Sequence, residues 1–375
     1  MRIGIAVDAA RVTIGGEGAV AAVQSGDPAF GVPAGQDVSI AADGHALVVR
    51  GSSVSRYESL TFTSLDAGKF VTVDGKPYRG VIDVFTRDGA VTAVNRVPLE
   101  AYLQGVVTAE MGHRAPNERE ALAAQAVASR TYALKNRGRF AADGFDLQAS
   151  VTDQAYLGVA GETPEGIAAV RETTGEVLTY RGKLIDAFFH STCGYSTAAP
   201  EEVFRTVRST PYLRPVSDAK PGGGYYCDIS PHFRWTVTWD GDTLLDILRK
   251  TVPAVLGIPA SQLTGLSDVY VRRRGPSGRA TEVRIKVQSG EIPVSGADLR
   301  QVFLTPDGRP LGSTAVTFTA RQVGGHLAAL VADGVGWGHG VGMCQWGAVG
   351  RARAGQDYRT ILTTYFPGTS IARWY

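Results

Sequence analysis

Pro98-Leu-Glu-Ala-Tyr-Leu-Gln-Gly-Val-Val-Thr-Ala-Glu-Met111 is the stretch in which the chain changes its period. Leu99, Tyr102, Leu103, Val106 and Val107 recur at helical spacing. Pro98 suits a first helical turn, where its missing N–H costs nothing. Upstream the pattern is different. Short runs rich in β-branched residues lie between Gly and Asp turns: Arg2 to Val7, Asp37 to Ala41, Ala46 to Arg50, Leu60 to Phe62, Phe70 to Val73 and Tyr78 to Phe85. Ala90 to Pro98 leads out of them. These read as strands. Downstream, Asn117 is placed to cap a second helix with Glu120 three residues on, running to about Asn136 and stopped at Gly138. Its stripe is Leu122, Ala126, Ser129, Tyr132 and Ala133, and its alanines, with Gly105 on the first helix, favour close helix packing.

Further on, Thr163 to Thr173 is a third helical segment, followed by strands Val177 to Tyr180 and Lys183 to Phe188. Residues 191–230, rich in Gly, Pro, Ser and Tyr, read as long ordered loops. A strand from His232 to Trp239 and a short helix from Asp242 to Arg249 come next. A hairpin joins Val269 to Arg274 with Thr281 to Val287 across Gly275 to Gly278, and short helical segments lie at Leu299 to Phe303 and around Ala348 and Tyr358. Sheet and helix are segregated, without regular βαβ units, so the fold class is α+β. The expected organisation is an N-terminal β-rich module at 1–95 and a core at 96–375 that contains a small subdomain at 240–310. The helical pair is expected at the centre, with a glycine-rich cleft segment beside it.

Composition narrows the function classes. The 375 residues are 44% hydrophobic, and 38 Lys plus Arg face 36 Asp plus Glu, a net charge of +2. That balance argues against a nucleic-acid binder, which needs a basic surplus or stripe. No apolar run is long enough for a membrane span, and Met1-Arg-Ile-Gly-Ile-Ala-Val does not read as a signal peptide. Three cysteines, Cys193, Cys227 and Cys344, are too few for a disulfide framework and leave disulfide, metal ligand and inert thiol all open.

Three constellations carry chemistry. Gly334-Val-Gly-Trp-Gly-His-Gly-Val-Gly-Met-Cys-Gln-Trp-Gly347 places glycine at alternate positions as far as Gly342. It reads either as a tight turn packed under Trp337 and Trp346 or as a cleft wall against which a polymer lies. In the second case the indoles stack on sugar faces while His339 and Gln345 supply hydrogen bonds. A dinucleotide site is excluded because no βαβ unit surrounds the motif. Glu110 ends an otherwise apolar helix beside Val107 and Met111. Desolvation and a helix C-terminus both disfavour an anion there, which suits a general acid; a solvent-facing Glu is the plain alternative. Phe188-Phe-His-Ser-Thr-Cys-Gly194 sets His190 and Cys193 three apart, compatible with zinc completed by Cys227 or a distant His or Glu, with a Cys–His nucleophile pair, or with a buried thiol at a strand end. A serine hydrolase is disfavoured, since no Gly-x-Ser-x-Gly elbow occurs.

Four stretches together resemble the SpoIID/LytB family, the sporulation stage II D proteins and related amidase enhancers. They are Leu99 to Met111, Glu120-Ala-Leu-Ala-Ala-Gln-Ala-Val-Ala-Ser-Arg-Thr-Tyr-Ala133, Ala187 to Gly194 and Gly336 to Ala348, extended by Ser295 to Arg300 and Tyr365-Phe-Pro-Gly368. The resemblance covers residue 90 onward. It implies peptidoglycan lytic transglycosylase activity at the linkage between N-acetylmuramic acid and N-acetylglucosamine, leaving 1,6-anhydro ends, with Glu110 as the one catalytic acid and base. The alternative it also implies is a non-catalytic peptidoglycan-binding modifier or enhancer of a cell-wall amidase. Tyr102, Arg130, Tyr132, His190, Trp337, His339, Gln345 and Trp346 are the implied substrate-binding residues, and Glu110 and His339 are expected to share a cleft. The proposed chemistry requires no cofactor; the resemblance allows a zinc on His190 with Cys193 or Cys227. Cys344 stands where relatives commonly have Ser. The implied partners are glycan strands and a cell-wall amidase, and the implied location is extracytoplasmic, the targeting segment being absent from this sequence.

Overall fold

Strands Arg11–Gly16, Asp37–Asp43 and Ser59–Ser64 bury Val12 and Ile14, Val38 and Ile40, and Leu60 and Phe62, each pair two residues apart. That period of two turns one face of each strand inward. A computed structural model describes residues 1–150, 152–206 and 210–375. The chain divides into two units, one comprising Met1–Leu178, Leu184–Asp186 and Ala372–Tyr375, the other Thr179–Lys183 and Ala187–Ile371. The class is α+β.

In the first unit, a seven-stranded sheet runs in the order Leu147–Gln148, Arg2–Ala9, Ala90–Arg96, Val81–Arg87, Ser59–Ser64, Val20–Gln24, Asp27–Val32. A six-stranded sheet runs Lys76–Tyr78, Val71–Val73, Arg11–Gly16, Asp37–Asp43, Ala46–Arg50, Val54–Tyr57. Ala90–Arg96 packs over Asp37–Asp43 and Val81–Arg87 over Ala46–Arg50, so the two sheets face each other across a shared core. Asp74-Gly75 and Asp88-Gly89 turn their hairpins with φ of 48° and 75°, and of 49° and 78°. Positive φ at both central residues is the geometry that matches strand twist in a two-residue hairpin. Residues 1–95, expected as a module, lie in this unit with the helices that follow them.

Helix α1 (Leu99–Met111) buries Tyr102, Leu103, Val106, Val107 and Met111. The nearest approach that Gly105 permits is to residues 156–161. A Cβ there would lie 2.7 Å from both the Gly158 carbonyl oxygen and the Tyr156 ring, so the missing side chain lets the loop 156–161 close on α1. Helix α2 (Arg119–Lys135) is buried on every face from Ala121 to Ala133, which its small residues permit. It begins one residue later than an Asn117 cap would place it, after a 3₁₀ turn at Pro116–Glu118. Its entry is fixed by the Glu118 carboxylate, which accepts the Ala115 N–H at 3.0 Å, and not by Asn117 with Glu120. Helix α3 (Pro164–Glu172) follows Thr163, whose Oγ1 accepts the Gly166 N–H at 3.1 Å.

The second unit holds helices α4 (Pro200–Val203), α5 (Gly241–Leu256), α6 (Gly296–Val302), α7 (Gln345–Arg353) and α8 (Tyr358–Tyr365). One antiparallel sheet orders Arg234–Asp240, His326–Val335 and Val316–Val323; another orders Asp268–Arg274, Ala280–Val287 and Gly290–Ser295. Asp240 caps α5 through the Thr243 N–H at 2.8 Å, and Gly257 ends it with φ 70°. Leu244, Leu248 and Val252, four apart, enter a core with Trp239, Ile285, Leu299, Phe303 and Leu330. Each such burial is worth about 1.5–3 kcal/mol. The expected 240–310 stretch shares this core with residues 316–332.

Candidate functional site

Glu110 sits in the last turn of α1, half-buried, and its Oε1 accepts the backbone N–H of Ala155 at 2.6 Å. The helix ends at Gly112, φ 69°, and the Arg114 Nε donates to the Met111 carbonyl at 2.6 Å, a cation where the helix dipole favours one. Ala155 is itself held. On one side Asp153, its side chain fully buried, accepts from the Tyr132 hydroxyl at 2.9 Å, Arg139 Nη1 at 2.8 Å and the Gln148 N–H at 2.8 Å. Next to it Gln154 accepts from the Tyr102 hydroxyl at 3.1 Å, and on the other side the Tyr156 hydroxyl donates to Asn95 Oδ1 at 2.7 Å. Burial pushes the Tyr102, Tyr132 and Tyr156 hydroxyls upward, so all three are donors.

Tyr102, Arg130 and Tyr132 thus lie inside the first unit. Arg130 is fully buried, bidentate to Glu100 with both contacts at 2.7 Å, and it also donates to the Glu176 carbonyl at 3.1 Å. Sequence reasoning missed Asp153 and Gln154. Their signal was a polar pair just ahead of an aromatic residue and Gly158 in a segment with no strong period.

The remaining expected residues belong to the second unit, whereas Glu110 belongs to the first. The glycine-rich segment there is packed against its own chain. Gly336, Gly338, Gly340 and Gly342 have φ of 80°, 102°, 87° and 74°. A Cβ on Gly336 would lie 2.6 Å from the Thr192 carbonyl oxygen, one on Gly340 would lie 2.6 Å from the Arg279 guanidinium, and one on Gly342 would collide with the Phe188 carbonyl. The segment pairs with 188–193 through Met343 N–H to the Phe188 carbonyl at 3.0 Å and Trp337 N–H to the Thr192 carbonyl at 2.7 Å. Trp337 is partly exposed and its ring lies 4.8 Å from that of His232. Trp346 is partly exposed and its N–H donates to the Ser191 carbonyl at 3.0 Å; Gln345 is buried.

His190 and His339 stand 5.5 Å apart, ring to ring, with Phe204 5.2 Å and Phe188 6.2 Å from His339. His339 Nδ1 accepts the Val341 N–H at 3.0 Å. Burial, seconded by Arg279 for His190 and by His190 for His339, pushes each down to about 3, so both are neutral at physiological pH. His339 also lines a cavity of about 410 Å³ with Phe204, Arg205, Arg300 and Gln301.

A second cluster lies in the same unit. Cys193, Asp218, Cys227 and Cys344 are all buried, with their donor atoms within 4.8 Å of one another. Cys193 and Cys227 Sγ are 3.6 Å apart. The group includes the two cysteines expected as metal ligands. It does not include His190, and it adds Cys344 and Asp218. Backbone N–H groups of Cys193 at 3.1 Å and Gly347 at 3.2 Å point at Cys344 Sγ. Asp218 Oδ2 accepts the Cys227 N–H at 2.9 Å, and Oδ1 accepts the Tyr365 hydroxyl at 2.6 Å. Burial and the neighbouring Cys227 raise Asp218 to about 7. Burial also opposes ionisation of Cys344, but hydrogen bonds from Cys193 and Cys227 outweigh it and bring that thiol down to about 6. These donors can hold a metal ion.

The chain belongs to the SpoIID/LytB family. A model of the stage II sporulation protein matches residues 87–180, the region that builds the Glu110 helix and its support, and a domain of unknown function matches 220–342. An uncharacterized protein of Brachyspira hyodysenteriae is 33% identical over 319 residues, covering 84% of this chain and 76% of that protein. The amidase enhancer of Bacillus subtilis is 28% identical over 81% of this chain, which spans 45% of the enhancer's length. The stage II sporulation protein D of the same organism is 29% identical over 75% of this chain and 76% of its own. No helix among the described residues is long and apolar enough to cross a membrane.

Proposed function

We propose that this chain works outside the cytoplasm as a peptidoglycan-binding modifier that enhances a cell-wall amidase. The observation that carries the reading is the likeness to the amidase enhancer, which extends over 81% of this chain. Two features of the units support it. Tyr102, Arg130 and Tyr132, three of the side chains expected to hold a sugar, are committed to the interior of the first unit. The 410 Å³ cavity of the second unit, with the Phe204 and His339 rings beside Arg300 and Gln301, offers aromatic faces and hydrogen-bond donors suited to an amino sugar. Purified chain added to a peptidoglycan amidase is expected to raise the rate of stem-peptide release and to release no sugar fragments by itself. An unchanged amidase rate would overturn the reading.

A second reading, lytic transglycosylase, is favoured by one observation, the fixed and partly exposed Glu110 carboxylate at the helix end. In that chemistry Glu110 protonates the glycosidic oxygen and then, as a carboxylate, takes the proton from the muramic C6 hydroxyl as it attacks C1. Release of 1,6-anhydro ends from peptide-free glycan by the chain alone would select it.

A further inference from the structure

We propose that Cys193, Asp218, Cys227 and Cys344 form a closed tetrahedral site for a divalent metal ion of the zinc type, which staples the second unit structurally. The inference does not depend on the amidase reading, since its test reads metal and not activity.

Geometry comes first. A zinc ion holds thiolate sulfurs at about 2.3 Å, so two sulfurs on a tetrahedral edge stand about 3.8 Å apart. The Cys193–Cys227 separation is 3.6 Å, and all four donor atoms fall within 4.8 Å of one another. A disulfide would need about 2.05 Å. Three sulfurs and one carboxylate oxygen make a donor set that suits zinc over magnesium or calcium, which prefer all-oxygen shells.

The shell around the donors is that of a metal site. Cys193, Asp218, Cys227 and Cys344 each have no exposed surface, which leaves no position for substrate or water; such closure marks a structural centre. Asp218 is oriented by the Tyr365 hydroxyl and the Cys227 N–H, and Cys344 by two backbone N–H groups. Gly347 must be glycine, because a Cβ there would collide with the Tyr365 hydroxyl and approach Asp218 Oδ1 to 2.9 Å.

Charge supplies an independent argument. Three thiolates, one carboxylate and a divalent ion sum to −2. Two buried arginines face this group. Arg351 Nη2 lies 3.5 Å from Asp218 Oδ1. Arg279, fully buried, donates through Nη2 to the Cys193 carbonyl at 2.8 Å and the Ser196 carbonyl at 3.4 Å, and its Nε and Nη1 have no hydrogen-bond partner among the described residues. A buried guanidinium without a carboxylate partner is costly, and an anionic metal–thiolate group beside it explains its place. The four ligands come from three separated segments. Two of those segments lie in 191–206 and 210–230, where the described residues form little regular secondary structure and a metal contributes most to order.

Elemental analysis of the full chain, purified without added metal or chelator, tests this. About one zinc per chain is expected. Asp218→Asn and Cys344→Ser should each lower occupancy at least about tenfold in dialysis against a competing chelator, while His190→Gln should retain the metal. Should those variants fail to fold, cobalt(II) loaded into the wild-type chain decides, with intense tetrahedral bands and thiolate charge transfer expected. An octahedral cobalt spectrum would overturn the proposal. So would a wild-type chain, purified without metal, showing a single titratable thiol after denaturation, which means a disulfide between two of the three cysteines. Loss of metal in His190→Gln with retention in Asp218→Asn would likewise overturn it.

Discussion

Ala155 and Glu110 are joined by a 2.6 Å hydrogen bond from backbone N–H to carboxylate Oε1, and that bond ties the end of α1 to the segment 153–156. A Gln side chain keeps one carbonyl acceptor of the same reach, so Glu110→Gln should leave the fold and its melting temperature nearly unchanged. On the modifier reading, stimulation of an added amidase by this variant stays within about twofold of wild type. General acid–base groups are worth about 10²–10⁴-fold, so a lyase would lose anhydro product to that extent. Mass spectrometry of digested glycan, beside the amidase assay, separates the two.

The support behind Glu110 should matter more to stability than Glu110 itself. Asp153→Ala removes a buried carboxylate from Tyr132, Arg139 and the Gln148 N–H. Breaking such a buried charged network costs about 3–5 kcal/mol, although Arg139 is half-exposed and can turn to water, which favours the lower end. Urea unfolding monitored by circular dichroism measures the change. A loss below about 0.5 kcal/mol, the scatter of ordinary surface substitutions, would show that the network is not what holds the 153–156 segment.

How much of this was legible in the sequence depends on range. The period change at Pro98 and the hairpin across Gly275 to Gly278 are local, and both are where the pattern put them. Strands Arg11–Gly16, Val20–Gln24, Asp27–Val32 and Val54–Tyr57 were not legible. Asp27–Val32 carries Pro28 and buries only Val32, so pairing with Val20–Gln24, and not its own alternation, makes it a strand. The cysteine cluster shows the same limit. Asp218 lies 25 residues after Cys193, and Cys344 lies 151 residues after it; no spacing rule reaches across such distances, and only the tertiary fold of the second unit brings them together.

The glycine-rich segment offers a sharp comparison between two substitutions. Gly342 and Gly89 have nearly the same φ, 74° and 78°, yet a Cβ on Gly342 meets the Phe188 carbonyl and one on Gly89 meets nothing within 4 Å. Gly89→Ala should therefore cost only the left-handed strain, about 1–2 kcal/mol. Gly342→Ala adds a clash with backbone that cannot swing aside, and should cost at least about 3 kcal/mol. Equal losses in thermal melts would mean that close self-packing is not why glycine occupies 342.

Phe204 tests the cavity. Its ring lies 5.2 Å from His339 at the wall of the 410 Å³ space. An aromatic face lost from a sugar site costs about 0.5–1.5 kcal/mol, so Phe204→Ala should weaken co-sedimentation with insoluble peptidoglycan about three- to tenfold. Unchanged binding by a folded variant would remove the cavity from the peptidoglycan-binding reading.

The two neutral histidines make the second unit acid-sensitive, and the sign can be worked out. His190 and His339 are held at about 3 in the fold, chiefly by burial, whereas an unfolded histidine titrates near 6.5. Between these values the unfolded chain binds protons that the folded chain does not. Unfolding free energy therefore falls as pH drops from about 6.5 towards about 3, by at most about 1.4 kcal/mol per pH unit for each histidine. Above about 7 neither residue contributes a slope. His339→Phe, which extends the aromatic cluster of Phe188 and Phe204, removes one of the two protons and should roughly halve the histidine part of the slope. Metal content is measured at each pH, so that acid release of a bound metal is separated from the histidine part. Urea midpoints of wild type and variant at pH 7.5 and 5.0 supply the measurement, with the gap between the two proteins expected to shift in favour of the variant at the lower pH. A gap independent of pH would show that His339 takes up its proton in the folded chain as readily as in the unfolded one.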